Sequence, residues 1–559
     1  MKKRKITILL LPCMLAMSLT AFGGETETAA PEAELTVRAT EYGKVQGAEN
    51  GENLVWYHIP YAAAPIDELR WAAPAKPEAW QDVLDCTEPG EAFLQCGTDY
   101  TTGEIKVSGV EDALNLDIYA GKTAENLPVL VYIHGGNNQT GTSMEVPGNQ
   151  ITADENCVYV SLNYRLGLLG FNCLPALQTE ADATGNYALL DIAQALDWVK
   201  ENIAAFGGNP DNITVSGFSA GGRDVMAMLT SSLFKGKFDK AIVFSGGMTM
   251  AKEDTSADLI AAAIAPFAVE DGKAPDETAA AEWLLTDGED VKEYLYSIPA
   301  DKLVTLMTNA SIRMSGFPHL YQDGVVLPEE GFDTAEYNSV PLLMLTGSTE
   351  FSLFSQFDGY FFSDAVMALS EEEQNQAKAF AVNYGSDMYR IFNAQCSAQA
   401  MYDHYDADIY VCQVEYGSMN SQTQIPAMGS FHGIFVPMLT QDHTYGNFAD
   451  FSTAGYADMA SLFDHYLTAF LASGNPNGEG SVEWTAWTAE DPKSMVLDAD
   501  AEKATAEMKD VTSSYEAIME SMDEDTTVSD PIKKDIIANV MNGRWFSAAL
   551  DAKYGNAGL

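Results

Sequence analysis

Positive charge is what this chain has least of: 30 lysines and arginines stand against 81 aspartates and glutamates, giving a formal charge of −51 over 559 residues. A surface of that sign repels nucleic-acid phosphates and anionic lipid headgroups, which excludes both as electrostatic partners. Internal repeats are also missing, so a solenoid is excluded. Beyond residue 24 no apolar run is long enough for a transmembrane helix. Cysteine is scarce, with seven in the whole chain, and none has metal-ligand spacing. Cys86 and Cys96 are close enough in sequence to be the first candidates for a disulfide, whereas Cys157 is equally expected to be a buried free thiol.

What is present begins with a basic start (Lys2, Lys3, Arg4, Lys5), an apolar stretch from Ile6 to Leu19 and small residues near Gly24. Residues 1–24 read as a secretory signal, and the chain as secreted or cell-surface. The ending resembles a bacterial lipoprotein signal, but Phe22 stands where the lipidated cysteine belongs, so thioether lipidation is excluded. Residues 25–36 are small and acidic, which predicts a flexible linker.

From residue 37 onward, apolar runs alternate with helical patterns. Leu127 to Ile133 and Cys157 to Leu162 are nearly continuous apolar segments, suited to strands buried on both faces. Leu189, Ile192, Leu196, Trp198 and Val199 have the spacing of a helix with one apolar face. Further strands are expected at Phe238–Ser245, Val340–Thr346 and Ile409–Val414. The alternation predicts an α/β fold with a large, mostly parallel central sheet, helices on both faces and helical insertions. Residues 37–505 are the expected catalytic domain, with a helical insertion at about 255–315, and 506–559 an appended helical extension.

The densest chemical signal lies at Asn212–Val225, where Ile213-Thr214-Val215 stops at Gly217-Phe218-Ser219-Ala220-Gly221 and a helical pattern follows. Strand, sharp turn and helix predict a bend that holds Ser219 out towards a substrate. A serine nucleophile needs a base, an acid to orient the base, and donors for the developing oxyanion. His432, between Gly429 and Gly433, suits the base, with His404, His443 and His465 as competitors. Glu350 follows a strand end and suits the acid, with Asp323 and Asp358 as rivals. His134-Gly135-Gly136-Asn137 offers backbone N–H groups for an oxyanion, and Ala220 N–H adds the positive end of a helix. The order serine, acid, histidine is that of an α/β-hydrolase sheet.

These residues carry a family likeness. The chain resembles the type-B carboxylesterases, α/β-hydrolases that include cholinesterases and bacterial para-nitrobenzyl-type esterases. The resemblance rests on Ile59-Pro60-Tyr61-Ala62, Glu111-Asp112-Ala113-Leu114, Asn163-Tyr164-Arg165-Leu166-Gly167 and Gly185-Asn186-Tyr187. It continues through Glu201 to Gly208, Phe218 to Gly222, Asp323-Gly324, His432-Gly433 and Gly474-Asn475-Pro476-Asn477. It implies an exported serine esterase acting on a small-molecule carboxylic ester without a cofactor or metal. Ser219 would be acylated, His432 would be base and acid, Glu350 would orient it, and Gly136, Asn137 and Ala220 would donate to the oxyanion. An amide or lactone hydrolase with the same residues, or a non-catalytic binding module of the same fold, is the alternative.

Departures from the family pattern are specific. Phe218 and Phe435 replace two glutamates near the reacting groups, which implies coordinated loss of a buried polar network and a drier, reshaped pocket. Asp224 stands where serine is usual, and Asn137 where the family has a third glycine. The interval leading to Glu350 is about two residues short. The family's amino-terminal disulfide is absent at both partners, Phe93 and Ala113.

Overall fold

The computed structural model describes residues 35–98, 105–178, 183–308, 310, 312–441 and 443–555. The expected signal segment and residues 25–34 of the linker lie outside them. Eleven strands form the principal sheet: β1 (Ala48–Asn50), β2 (Asn53–Pro60), β3 (Asn115–Gly121), β4 (Leu127–Ile133), β5 (Val158–Leu162), β6 (Gly208–Phe218), β7 (Lys240–Phe244), β8 (Leu342–Gly347), β9 (Ile409–Val414), β10 (Lys493–Ala499) and β11 (Ala504–Asp510). Their spatial order is β11-β10-β9-β8-β7-β6-β4-β5-β3-β2-β1. From β10 across to β5 every neighbouring pair is parallel, while β11 and β3 close this block with antiparallel pairings.

The two faces of the sheet are buried in different cores, because successive strand residues point to opposite sides. Val129, Val131, Val215 and Val243 pack with Leu189, Ile192 and Leu196 of helix α1 (Tyr187–Asn202) and with Val225 and Met226 of helix α2 (Ala220–Thr230). Leu130, Tyr132, Ile242 and Leu343 pack instead with Met459, Phe463, Leu467 and Phe470 of the helix Ala454–Ser473. Strands buried on both faces favour apolar residues at nearly every position, which is why β4 and β5 read as nearly continuous apolar runs. Between β7 and β8 lie helices at Glu253–Glu270, Glu277–Leu284, Glu289–Ser297 and Ala300–Leu303.

Two expectations change. The helical extension expected from residue 506 begins inside β11, which pairs with β10 from Ala499↔Ala504 to Lys493↔Asp510. The alanine, glutamate, methionine and lysine of this segment favour a helix in isolation, but pairing along a sheet edge overrides that preference. Only beyond it do helices follow, at Tyr515–Glu524, Asp530–Ile536 and Ala548–Tyr554. Cys86 and Cys96 are both free thiols, as are Cys157, Cys173, Cys396 and Cys412. Cys86 follows a strand of a small three-stranded sheet, and Cys96 lies in a separate two-stranded ribbon. Short spacing makes a loop cheap to close, but only matching backbone geometry allows the bond.

Candidate active site

β6 ends at Phe218, and α2 starts at Ala220, so Ser219 alone makes the turn. Its backbone is held at φ +55° and ψ −113°, a conformation that ordinary residues avoid and that puts the side chain at the apex of the bend. The two flanking glycines are required by space. A Cβ on Gly217 would lie 2.2 Å from Gly221 O, and one on Gly221 would lie 2.1 Å from Ile133 O. The bend is as expected, yet Ser219 is only 7% exposed. Its cover is built by residues far away in sequence, which no local pattern reports.

Glu350 lies just beyond β8, and its carboxylate is fully buried. One oxygen accepts from Ser245 Oγ, Thr346 Oγ1 at 3.0 Å and Gly347 N–H at 2.6 Å. The other accepts from Asn393 Nδ2 at 2.9 Å and meets His432 Nδ1 at 2.8 Å. A buried carboxylate is tolerable only when its lone pairs are met in this way. The contact assigns the proton of a neutral His432 to Nδ1 and leaves Nε2 as the acceptor. That nitrogen is buried and makes no hydrogen bond, to Ser219 Oγ or to any other described group.

The rival residues have other occupations. Asp323 caps the N–H groups of Val325, Val326 and Leu327, and Asp358 pairs with Arg313 and Arg544. His404 and His465 are exposed, and His443 stacks on Tyr445.

Asn137 has φ +57°, a left-handed backbone that asparagine tolerates better than most side chains, which explains how it replaces the expected glycine. Among the described residues, the backbone N–H groups of Gly136, Asn137 and Ala220 make no hydrogen bond. The root of their loop is fixed by Glu145, which accepts from Gly135 N–H and Tyr132 OH, each at 2.9 Å. Burial raises the Glu145 carboxyl above its usual range. Asn138 Nδ2 donates to Asp224 Oδ1 at 2.8 Å, and burial pushes Asp224 up to about 7.

Phe218 packs 4.7 Å from the His432 ring and 5.0 Å from Phe435, which stacks on Phe244 at 4.2 Å. Phe354 and Tyr389 also flank His432, at 5.0 and 5.7 Å. The carboxyl-terminal segment adds to the cover, with Phe546 5.0 Å from Tyr389 and the Trp545 ring 3.8 Å from the Arg223 guanidinium. Sequence reasoning missed Ser245, Thr346 and Asn393 around Glu350, and Arg223 altogether. Ser245 and Thr346 end predicted strands beside the motif residues, a signal that was available. Asn393 lies in a helical stretch with no motif, and nothing in the sequence marked it.

The model of the carboxylesterase family matches residues 34–377 and 357–515. The para-nitrobenzyl esterase of Bacillus subtilis (strain 168) is 30% identical over 492 residues, covering 82% of this chain and 94% of that protein. Human cocaine esterase is 28% identical over 503 residues, covering 81% of this chain and 86% of that protein. Among solved structures, a carboxylesterase of Geobacillus stearothermophilus superposes with a TM-score of 0.65 at 26% identity, covering 85% of this chain and 98% of that one.

Proposed function

Because the chain belongs to the carboxylesterase family, with its α/β-hydrolase fold and carboxylic ester chemistry, we propose that it hydrolyses esters through an acyl-enzyme on Ser219. His432 Nε2 takes the hydroxyl proton as the serine attacks the ester carbonyl. It gives that proton to the departing alcohol, then activates water to release the acid. Glu350 holds the imidazole and stabilises the imidazolium that forms. Gly136, Asn137 and Ala220 donate their N–H groups to the tetrahedral oxyanion. Phe218 and Phe435 keep the surroundings of the histidine dry and shape the pocket.

The observation that carries this reading is the Glu350–His432 contact at 2.8 Å, which leaves Nε2 unpartnered in the region of the strained serine. A fluorophosphonate is expected to label the wild type and not Ser219→Ala, and Glu350→Gln to slow labelling by about 1,000-fold. Folded wild type that resists the reagent would refute the enzyme reading. Equal labelling of Glu350→Gln would remove Glu350 from its role.

A further inference from the structure

Arg223 sits in the first turn of α2, and its backbone N–H donates to Ser219 O at 3.0 Å. The side chain is 1% exposed. Its Nη2 donates to Asn137 Oδ1 at 3.2 Å, on the loop whose N–H groups are assigned to the oxyanion. Nε and Nη1 are buried and have no protein partner. No carboxylate among the described residues forms an ion pair with it. The adjacent Asp224 directs Oδ1 to Asn138 instead. Burial lowers Arg223 to about 10, so it still carries its charge at neutral pH.

A buried guanidinium ordinarily has a carboxylate or several carbonyls in its plane, since leaving donors unmade forfeits their hydration with nothing in return. Trp545 covers one face of the group through a cation–π contact, which does nothing for the in-plane N–H bonds. The same tryptophan lines a groove of about 630 Å³, along with Thr249, Met250, Met314 and Pro318. Lys252 stands exposed on that groove and has no ion-pair partner among the described residues. Asp551, also on the groove, is engaged by Gly543 N–H. Trp545 thus belongs both to the surroundings of the buried Arg223 guanidinium and to a groove that carries the exposed Lys252.

We infer that Arg223 is a specificity residue that receives a carboxylate carried by the ester substrate, the charge approaching past Lys252 and Trp545. The substrate class is then a half-ester of a dicarboxylic acid or an ester of a hydroxy acid. The inference rests on the esterase reading of Ser219. Binding energy at Arg223 is supplied away from the scissile bond and positions the carbonyl against Ser219.

Methyl hydrogen adipate carries the charge on its acyl side, and acetoxybutanoate carries it on the alcohol side. Their neutral counterparts are methyl hexanoate and butyl acetate. Turnover of all four is followed by pH-stat on wild type, Arg223→Gln and Arg223→Lys. Wild type is expected to favour at least one charged ester over its neutral counterpart, and the favoured member identifies the side. Arg223→Gln should shrink that preference by about tenfold or more, whatever its absolute rate, and Arg223→Lys should restore part of it. A preference that Arg223→Gln leaves unchanged, or neutral esters favoured on both sides, overturns the proposal. Adipate binding to Ser219→Ala by calorimetry separates this inference from the esterase reading, because it needs no turnover. Heat of binding that vanishes in Ser219→Ala/Arg223→Gln supports the anion site. Absence of binding in both counts against it.

Discussion

The family resemblance implies that Phe218 and Phe435 take the places of glutamates, and their contact at 5.0 Å packs them as one unit beside the histidine. Restoring Phe218→Glu alone puts an unmatched carboxyl among rings and is expected to cost about 2–4 kcal/mol. Phe218→Glu with Phe435→Glu should cost less than the sum of the single changes, by about 1 kcal/mol or more, because the second carboxyl can share a proton or a water with the first. Urea unfolding of the four proteins measures the coupling, and strict additivity would mean that the two positions are independent. At this scale the sequence was informative wherever a motif joined neighbours, as from Gly217 to Gly221. It was silent wherever a group's environment came from afar. Arg223 is visible beside the serine, but its stacking on Trp545 and its unmet donors depend on a segment at the other end of the chain.

The parallel core strands were readable as elements because burial on both faces writes itself as a nearly continuous apolar run, and β4 and β9 span the residues expected for them. β11 was not readable, since an edge strand with one face in solvent keeps alternate polar residues of helix-forming type. Helix packing also brings the buried Glu155 beside the half-buried Asp464: Glu155 follows the helix Asn149–Asp154, and Asp464 lies within Ala454–Ser473. Burial pushes both carboxyls up, and the charge of Asp464 raises Glu155 further. A carboxyl raised in the folded chain keeps its proton where the unfolded chain has already lost it. The stabilisation is therefore complete below the ordinary carboxylate range, near pH 4, and fades as pH climbs through the raised values. Glu155→Gln removes one of the titrating groups, so the Tm of the variant relative to wild type should climb between about pH 5 and pH 8. Scanning calorimetry across that range checks this, and a difference that does not vary with pH would rule out the pair as its source.

At the scale of the whole molecule, no described helix is long and apolar enough to cross a membrane. We propose export by way of residues 1–24. The intact mass of chain recovered outside an expressing bacterium should then lack about 24 residues at its amino terminus, and a full-length mass there would contradict cleavage. The remaining consequence concerns the order in which the molecule is made. Ser219, Glu350 and His432 all precede the segment bearing Trp545 and Phe546, which completes the cover of their chamber. Synthesis runs from the amino terminus, so a nascent chain possesses all three proposed reacting groups before it possesses the residues that close over them. On the proposed function, the reacting groups and the aromatic cover over them are thus encoded in successive stretches of the polypeptide, and Trp545 and Phe546 emerge after the groups they cover.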